Sequence, residues 1–188
     1  MKQIGLFGGT FDPLHVGHMV VAECVREAEE LDEIWFVPSH IPPHKENASV
    51  SSEDRYEMVK EAIATNDRFK VTDIELKRQG KSYTLKTVQE LKENHPDCLF
   101  SFIVGGDMVD TLGKWYRIEE LMDEISFIGV RRPGTTFETS YPLSTVESPL
   151  LAISSSEVRE RLDNGKTVRY MVPEPVYSYI QRKGLYGC

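Results

Sequence analysis

Short apolar runs recur along the chain and alternate with longer amphipathic stretches. The runs have the length of buried strands and fall at residues 4–7, 34–37, 69–71, 99–104 and 125–130. Apolar residues recur at helical spacing over residues 15–30 and 83–93. Strands that alternate with helices are typical of a parallel sheet covered on both faces. The pattern therefore predicts an α/β fold with a doubly wound parallel sheet, followed by a small helical part at the C-terminal end.

Two of the predicted strands end in glycine pairs. The first strand leads into Gly8 and Gly9, and the fourth leads into Gly105 and Gly106. Ligands of open α/β sheets bind beyond the carboxyl ends of the strands, where the strand order reverses. If these two strands are neighbours at the centre of the sheet, we expect both glycine pairs to face one crevice.

Chain length favours one domain. The chain has 188 residues, 40% of them hydrophobic, which is enough to bury one sizeable core, so we expect residues 1–188 to form a single domain. Proline and small polar residues predict loops at residues 38–52 and 131–149. Loops of this length in a compact domain are often functional.

The net charge of −8 argues against a broad nucleic-acid-binding face, which would need clustered Lys and Arg. An anionic ligand would therefore need a local pocket. The three cysteines are widely spaced without a C-x-x-C pair, which favours neither a disulfide framework nor a zinc site. No signal peptide and no apolar stretch of about 20 residues is seen. We therefore expect a soluble cytoplasmic protein without a membrane or nucleic-acid partner.

The strongest chemical signal is the string GGTFDPLHVGH at residues 8–18, called here the first signature. Glycines let backbone N–H groups approach an anion, and the helix start that follows adds a favourable field. The string is neither a Walker loop nor the fingerprint G-x-G-x-x-G. His15 and His18 lie on one side of a turn and can donate hydrogen bonds to a reacting phosphorus centre, and Gly17 is expected to leave space for the ligand. The alternatives are surface residues or a zinc pair, but zinc would need further ligands, and no second His/Cys cluster is present.

A second anion site is predicted at ISSSEVR, residues 153–159, called here the second signature. Ser154 and Glu157 have the spacing of a capping box at a helix start. Free N–H groups, serine hydroxyls and Arg159, reaching back toward the helix start, can converge on one anion. The alternative is a well-capped helix with Arg159 solvated or paired with Glu160 or Asp163.

Together, the two signatures resemble the (H/T)-x-G-H and I-S-S-T/S-x-x-R motifs of a nucleotidyltransferase superfamily. Three further segments, PPHK at residues 42–45, SYTLKT at 82–87 and GGD at 105–107 followed by WY at 115–116, make the chain similar to bacterial nicotinate mononucleotide adenylyltransferases over nearly its whole length. The resemblance implies a Rossmann-like fold. It also implies transfer of AMP from ATP to nicotinate mononucleotide in NAD biosynthesis, giving nicotinate adenine dinucleotide and pyrophosphate, with Mg²⁺ held mainly by substrate phosphates. A homodimer is left open.

The resemblance also assigns residues to parts of the site. The catalytic residues would be His15, His18 and Arg159. ATP would contact residues of both signatures and of the fourth strand end: Gly8, Gly9, Thr10, Phe11, His18, Gly105, Asp107, Ile153, Ser154, Ser155 and Arg159. The mononucleotide would contact Thr10, His15, Lys45, Thr84, Trp115 and Tyr116. Without the resemblance, Trp115 and Tyr116 would be interpreted as core residues and Lys45 as a solvated loop lysine.

Other functions compete with this interpretation. A pantetheine-phosphate adenylyltransferase or a cytidylyltransferase would share the signatures, but the first of these lacks the PPHK and SYTxxT segments. A class I aminoacyl-tRNA synthetase fragment is disfavoured because no KMSKS loop is present and the chain is acidic. A non-catalytic nucleotide sensor is the rival from another class, and a sensor would be free to lose one of the signatures, which are both intact here.

Overall fold

A six-stranded parallel sheet forms the centre of the computed structural model, which describes residues 1–41, 48–131 and 139–188. The described strands are β1 (Lys2–Gly9), β2 (Glu33–Pro38), β3 (Phe69–Val71), β4 (Cys98–Gly105), β5 (Ser126–Arg131) and β6 (Ser144–Glu147). Their order across the sheet is β3-β2-β1-β4-β5-β6. Since β1 pairs in parallel with both β2 and β4, the strand order reverses between β1 and β4.

Helices connect the strands. Those described are α1 (Val16–Ala28), α2 (Ser52–Ile63), α3 (Ile74–Arg78), α4 (Thr84–Asn94), α5 (Gly106–Val109), α6 (Ile118–Glu124), α7 (Ser155–Asp163) and α8 (Glu174–Lys183), with 3₁₀ turns at Leu112–Lys114 and Leu185–Gly187. None of these helices combines the length and apolar character that a bilayer crossing demands.

The sheet is packed on both faces. Successive β1 residues alternate between the faces, so that Leu6 belongs to one buried cluster and Phe7 to the other. The cluster of Phe7 is completed by residues of α1, α2, α7 and α8: Val25, Met58, Val158 and Ile180. The cluster of Leu6 is completed by residues of α4 and α6, among them Val88 and Leu121. Two packed faces are the reason why the strands of the sequence read as continuous apolar runs.

The predicted doubly wound α/β fold is confirmed. All five predicted strands are present, and α1 and α4 begin and end within two residues of the predicted stretches. The prediction that residues 131–149 are only a loop is wrong, because β6 lies within that segment. Val146 is the one buried residue of β6, which pairs with β5 at the sheet edge, so this strand carries no apolar run.

Candidate active site

The crevice predicted from the two glycine pairs is present at the ends of β1 and β4, which are neighbours in the sheet. A Cβ atom added to Gly8 would lie 2.9 Å from the Phe102 ring, and one added to Gly9 would lie 2.8 Å from the Phe11 ring. At Gly105, no described atom lies within 4 Å of such a Cβ. Gly105 therefore opens onto the crevice, whereas Gly8 and Gly9 are required first by the aromatic rings packed against them.

The two histidines of the first signature stack on each other at the start of α1. Their ring centroids are 3.7 Å apart with an angle of 26° between the planes. His15 is the residue before the helix and is only 4% exposed, so little more than an edge of its ring can reach a ligand. A Cβ atom on Gly17 would lie 3.0 Å from the His15 ring. Gly17 therefore makes room for His15, and the expectation that this space is kept for the ligand is not met.

A backbone contact orients the His18 imidazole. The N–H of His15 donates a hydrogen bond of 3.1 Å to Nδ1 of His18. A nitrogen that accepts a hydrogen bond carries no proton, so the proton of the neutral ring is on Nε2. His18 is thereby prepared to donate from Nε2, which is the role that stabilisation of a charged phosphorus centre requires.

The Phe11 ring packs against the His18 ring. Its ring is buried and meets His18 edge-on at 5.1 Å, and it also packs against Phe7 and Phe36. Its φ of 48° places the backbone in the left-handed region that few side chains adopt. The ring belongs to the core, so a contact between Phe11 and ATP is left to its backbone.

The sequence analysis did not single out Arg55, the largest fully buried side chain among the described residues. It is 1% exposed and donates hydrogen bonds to the carbonyl oxygens of Thr10 at 2.6 Å, Ser39 at 2.7 Å and His40 at 3.1 Å. Burial lowers the pKa of its guanidinium from the usual 12.5, and the charge of Asp12 opposes that shift. Arg55 therefore fixes Thr10 of the first signature to the segment that follows β2.

The two signatures touch each other. The Ser155 hydroxyl donates a hydrogen bond of 2.9 Å to the Pro13 carbonyl. Nη1 of Arg159 donates a hydrogen bond of 2.7 Å to the Asp12 carbonyl, and Nη2 lies 3.3 Å from Oγ of Ser156. These contacts hold the start of α7 against the loop that opens α1. The two signatures therefore lie in direct contact at one end of the sheet.

The second signature also caps its own helix. Oγ of Ser154 accepts a hydrogen bond of 3.1 Å from the Glu157 N–H, which is half of the predicted capping box. Ile153 is partly buried against the core, and its carbonyl oxygen would lie 4.0 Å from a Cβ atom on Gly17. Ser154 and Ile153 thus have structural roles, and the N–H groups of the first turn are the part of this helix start that suits a ligand.

Phe102 connects Trp115 to the first signature. Trp115 is half-buried and packs edge-on against Phe102 at 5.8 Å and Phe127 at 6.2 Å. Phe102 is the ring that also covers Gly8. The buried indole N–H of Trp115 has no acceptor among the residues that the structure describes. A chain of contacts therefore leads from the first signature to a buried donor that could serve a polar ligand.

Tyr116, the residue after Trp115, contacts Tyr83, which precedes Thr84. The Tyr116 ring is exposed and lies 4.7 Å from the Tyr83 ring, tilted by 39°. Tyr83 is the residue before α4, and Thr84 is the first residue of that helix. The contact thus joins the segments that carry Thr84 and Tyr116. It also adds Tyr83, which the sequence analysis did not assign to the site.

Two predicted site residues need separate mention. Lys45 lies outside the described residues. Asp107 lies in α5, directly beyond the open Gly105. Over the described part of the chain, no group of three or more His, Cys, Asp or Glu residues is arranged to hold a metal ion.

Comparison with known proteins agrees with this geometry. The cytidylyltransferase-like family model matches residues 6–161, a range that contains the first signature, the end of β4 and the second signature. This chain belongs to the cytidylyltransferase-like family.

Two similar proteins carry the same description. The chain is 51% identical over 187 residues to a probable nicotinate-nucleotide adenylyltransferase of Oceanobacillus iheyensis, with 100% of this chain and 98% of the relative covered. It is 53% identical over 188 residues to a protein of the same description from Geobacillus thermodenitrificans, with 100% of this chain and 87% of the relative covered. The Plasmodium falciparum nicotinic acid mononucleotide adenylyltransferase, solved with NaAD, has the same fold, with a TM-score of 0.81, 24% identity and coverage of 99% and 98% of the two chains.

Proposed function

We propose that this protein transfers AMP from ATP to nicotinate mononucleotide, giving nicotinate adenine dinucleotide and pyrophosphate, as a step of NAD biosynthesis. The observation that carries the proposal is the contact between Arg159 and Asp12, which brings the cation of the second signature to the loop of the first. The full-length relatives described as nicotinate-nucleotide adenylyltransferases support the choice of acceptor.

The reaction is an in-line displacement at the α-phosphorus of ATP. An oxygen of the acceptor phosphate forms the new bond to phosphorus, and the bond to the oxygen that leaves with pyrophosphate breaks. A phosphate monoester has a second pKa of about 6, so the attacking oxygen is already ionised near neutral pH and needs no general base. Catalysis then depends on positioning and on charge stabilisation.

His18 supplies charge stabilisation on the α-phosphate side. Its Nε2–H donates to a phosphate oxygen as negative charge develops, since Nδ1 is held by the His15 N–H. His15 contacts the reacting phosphates with an edge of its stacked ring. Because the neighbouring backbone fixes both rings in advance, little reorganisation is needed during the reaction.

The start of α7 and Arg159 bind the triphosphate tail. The helix start offers N–H groups and a positive end, and the guanidinium adds a charge beside them. Gly105, next to Asp107, leaves open space for the ATP ribose. We take Mg²⁺ as part of the ATP substrate, held mainly by phosphate oxygens and water, which suits its reluctance to lose its hydration shell.

The nicotinate ring binds beside Trp115, Tyr116 and Tyr83. The pyridinium stacks on the face of Trp115, a cation–π contact of about 1 kcal/mol, with Tyr116 and Tyr83 beside it. The N–H groups at the start of α4 and the hydroxyl of Thr84 donate hydrogen bonds to the carboxylate, whereas an amide would leave some of these donors unpaired. We include Lys45 as a phosphate contact from the loop after β2. The three free cysteines fit a reducing cytoplasm.

Pyrophosphate release tests the proposal directly. Purified protein with MgATP is given nicotinate mononucleotide, nicotinamide mononucleotide or phosphopantetheine in parallel. We expect the highest kcat/KM with nicotinate mononucleotide, with Arg159→Ala as a control that depresses turnover. Preference for phosphopantetheine would overturn the assigned acceptor, and ATP binding without turnover on any of the three would favour a nucleotide sensor.

A further inference from the structure

Asp12 of the first signature joins three parts of the chain. Its side chain is buried, with 5% of the residue exposed. Oδ1 accepts a hydrogen bond of 2.7 Å from the Tyr186 hydroxyl, and Oδ2 accepts one of 2.8 Å from the Ser49 N–H. Its carbonyl oxygen accepts the hydrogen bond from Arg159. The carboxylate is thus held by neutral donors, and the guanidinium is held by the backbone of the same residue.

The carboxylate and the guanidinium stay apart although they are neighbours. Nη1 of Arg159 lies 3.8 Å from Oδ2 of Asp12, beyond hydrogen-bond distance. Arginine and a carboxylate ordinarily form two parallel charge-assisted hydrogen bonds when they can. Such a pair would occupy the donors of Arg159 and cancel its charge. A feature of the fold therefore prevents the closest pairing.

Tyr186 provides one of the two hydrogen bonds that hold the carboxylate in this position, and the Ser49 N–H provides the other. Tyr186 lies in the 3₁₀ turn Leu185–Gly187 after α8, with a φ of 57° in the left-handed region. Burial and the charge of Asp12 raise the pKa of its hydroxyl well above the usual value of 10.0, so it stays a neutral donor.

Arg159 remains accessible under this arrangement. Its side chain is 31% exposed, and it borders an open cavity of about 440 Å³ lined by Ser49, Ser156, Arg159, Glu160, Asp163 and Tyr186. Glu160 and Asp163 on the same rim carry negative charge. An anion in this cavity would therefore bind through the Arg159 guanidinium.

We propose that Tyr186 is a positioning residue for ATP, which holds the Asp12 carboxylate away from Arg159 and so keeps the guanidinium available for the triphosphate. The inference rests on the proposed function, in which Arg159 binds that tail. Without the Tyr186 hydroxyl, Asp12 loses the donor on Oδ1 and turns toward Arg159, whose Nη1 lies 3.8 Å from Oδ2.

Tyr186→Phe tests this with a matched control. Tyr179→Phe removes a hydroxyl of the same chemistry, which donates a hydrogen bond of 2.9 Å to Asp54 between α8 and α2. We expect Tyr186→Phe to raise the KM for ATP roughly fivefold to tenfold, the equivalent of one hydrogen bond. The KM for the mononucleotide and kcat should stay near the wild-type values. Tyr179→Phe should change neither KM.

A second background separates positioning from packing. If Tyr186 acts through the charge of Asp12, then Tyr186→Phe should have no further effect on the KM for ATP in an Asp12→Asn protein. An unchanged KM for ATP in Tyr186→Phe, an equal rise for both substrates, or an undiminished effect in Asp12→Asn would each overturn the inference. If Tyr186→Phe did not fold, Asp12→Asn alone would decide, because the inference expects its KM for ATP not to rise.

The failure of this inference is distinguishable from failure of the proposed function. An inactive wild-type protein would contradict the proposed function, and an active wild-type protein with a normal Tyr186→Phe variant contradicts only the inference. The Kd of ATP, measured by calorimetry in the absence of acceptor, tests the same shift without turnover.

Discussion

The guanidinium of Arg55 donates a hydrogen bond of 2.6 Å to the carbonyl oxygen of Thr10. Arg55 lies in α2, so this contact links α2 to Thr10, the residue directly after β1. The same guanidinium donates hydrogen bonds to the carbonyl oxygens of Ser39 and His40, so a single buried cation connects the first signature to the residues that follow β2. Precise placement of the first signature therefore depends on a residue outside it.

Arg55→Lys should destabilise the protein by about 2 to 4 kcal/mol. Lysine cannot reach three carbonyl groups at once, and buried polar groups left without partners are costly. Urea unfolding measures the loss. Arg182→Lys is the control, because Arg182 pairs with Glu61 at the surface with its side chain 56% exposed, where less than about 1 kcal/mol is expected. Equal losses in the two variants would contradict the role of Arg55.

His18→Asn should lower kcat by on the order of 10² while Tm stays near the wild-type value. The Asn oxygen can take the position of Nδ1 and accept the His15 N–H, so the helix start is kept and only the Nε2 donor is lost. Steady-state kinetics and thermal unfolding of the same preparation provide the measurement. A folded variant with nearly normal turnover would remove His18 from the mechanism.

Trp115→Ala should raise the KM for nicotinate mononucleotide about tenfold or more and leave the KM for ATP much less affected. The indole supplies both the stacking face and a buried donor to the mononucleotide, whereas ATP binds at the signatures. Trp115→Phe, which keeps a ring, should recover part of the loss. Equal increases for the two substrates would show that Trp115 acts only through packing against Phe102.

The lowered pKa of Glu33 makes the free energy of unfolding depend on pH in the acidic range. Burial opposes ionisation of Glu33, but hydrogen bonds from Lys2, Trp35 and Lys70 outweigh burial and lower the pKa of the carboxyl from 4.5 to about 2. The ionised form therefore stabilises the folded state fully above pH 4.5, and this contribution is lost as the pH falls toward 2. It amounts to at most about 3 kcal/mol, reduced because both lysines are half-exposed.

Urea unfolding of wild type and Glu33→Gln between pH 2 and pH 7 tests this dependence. The difference between the two proteins should be largest near neutral pH and shrink below pH 4.5. Glu57→Gln, at an exposed ion pair with Lys60 on α2, should show a difference of less than about 1 kcal/mol. A Glu33→Gln difference that stayed constant down to pH 2 would contradict the prediction.

The features that could be predicted from the sequence are those that repeat along the chain or occur in a fixed order. Apolar runs located five strands, and the glycine pairs at two strand ends located the crevice before the sheet order was known.

Features that depend on contacts between residues far apart in the chain could not be predicted from the sequence. In the sequence, Arg55 resembles a solvated residue on an amphipathic helix. Its acceptors are the backbone carbonyls of Thr10, Ser39 and His40, and no sequence pattern indicates that these carbonyls lie near Arg55. Tyr186 and Asp12 are likewise ordinary until the fold brings them together. Gly17 was assigned to the ligand, yet its small size serves the His15 ring, since a steric requirement looks the same in sequence whichever neighbour imposes it.

The span of chain between the two signatures has a consequence for folding. Arg159 and Tyr186 reach Asp12 across 147 and 174 residues of sequence, respectively. A partly folded chain that has built only its first strands would present the glycine loop without its cation and without the tyrosine that keeps that cation free. We therefore expect nucleotide to bind only molecules whose first and last segments have docked, and ATP to raise the melting temperature of the whole domain.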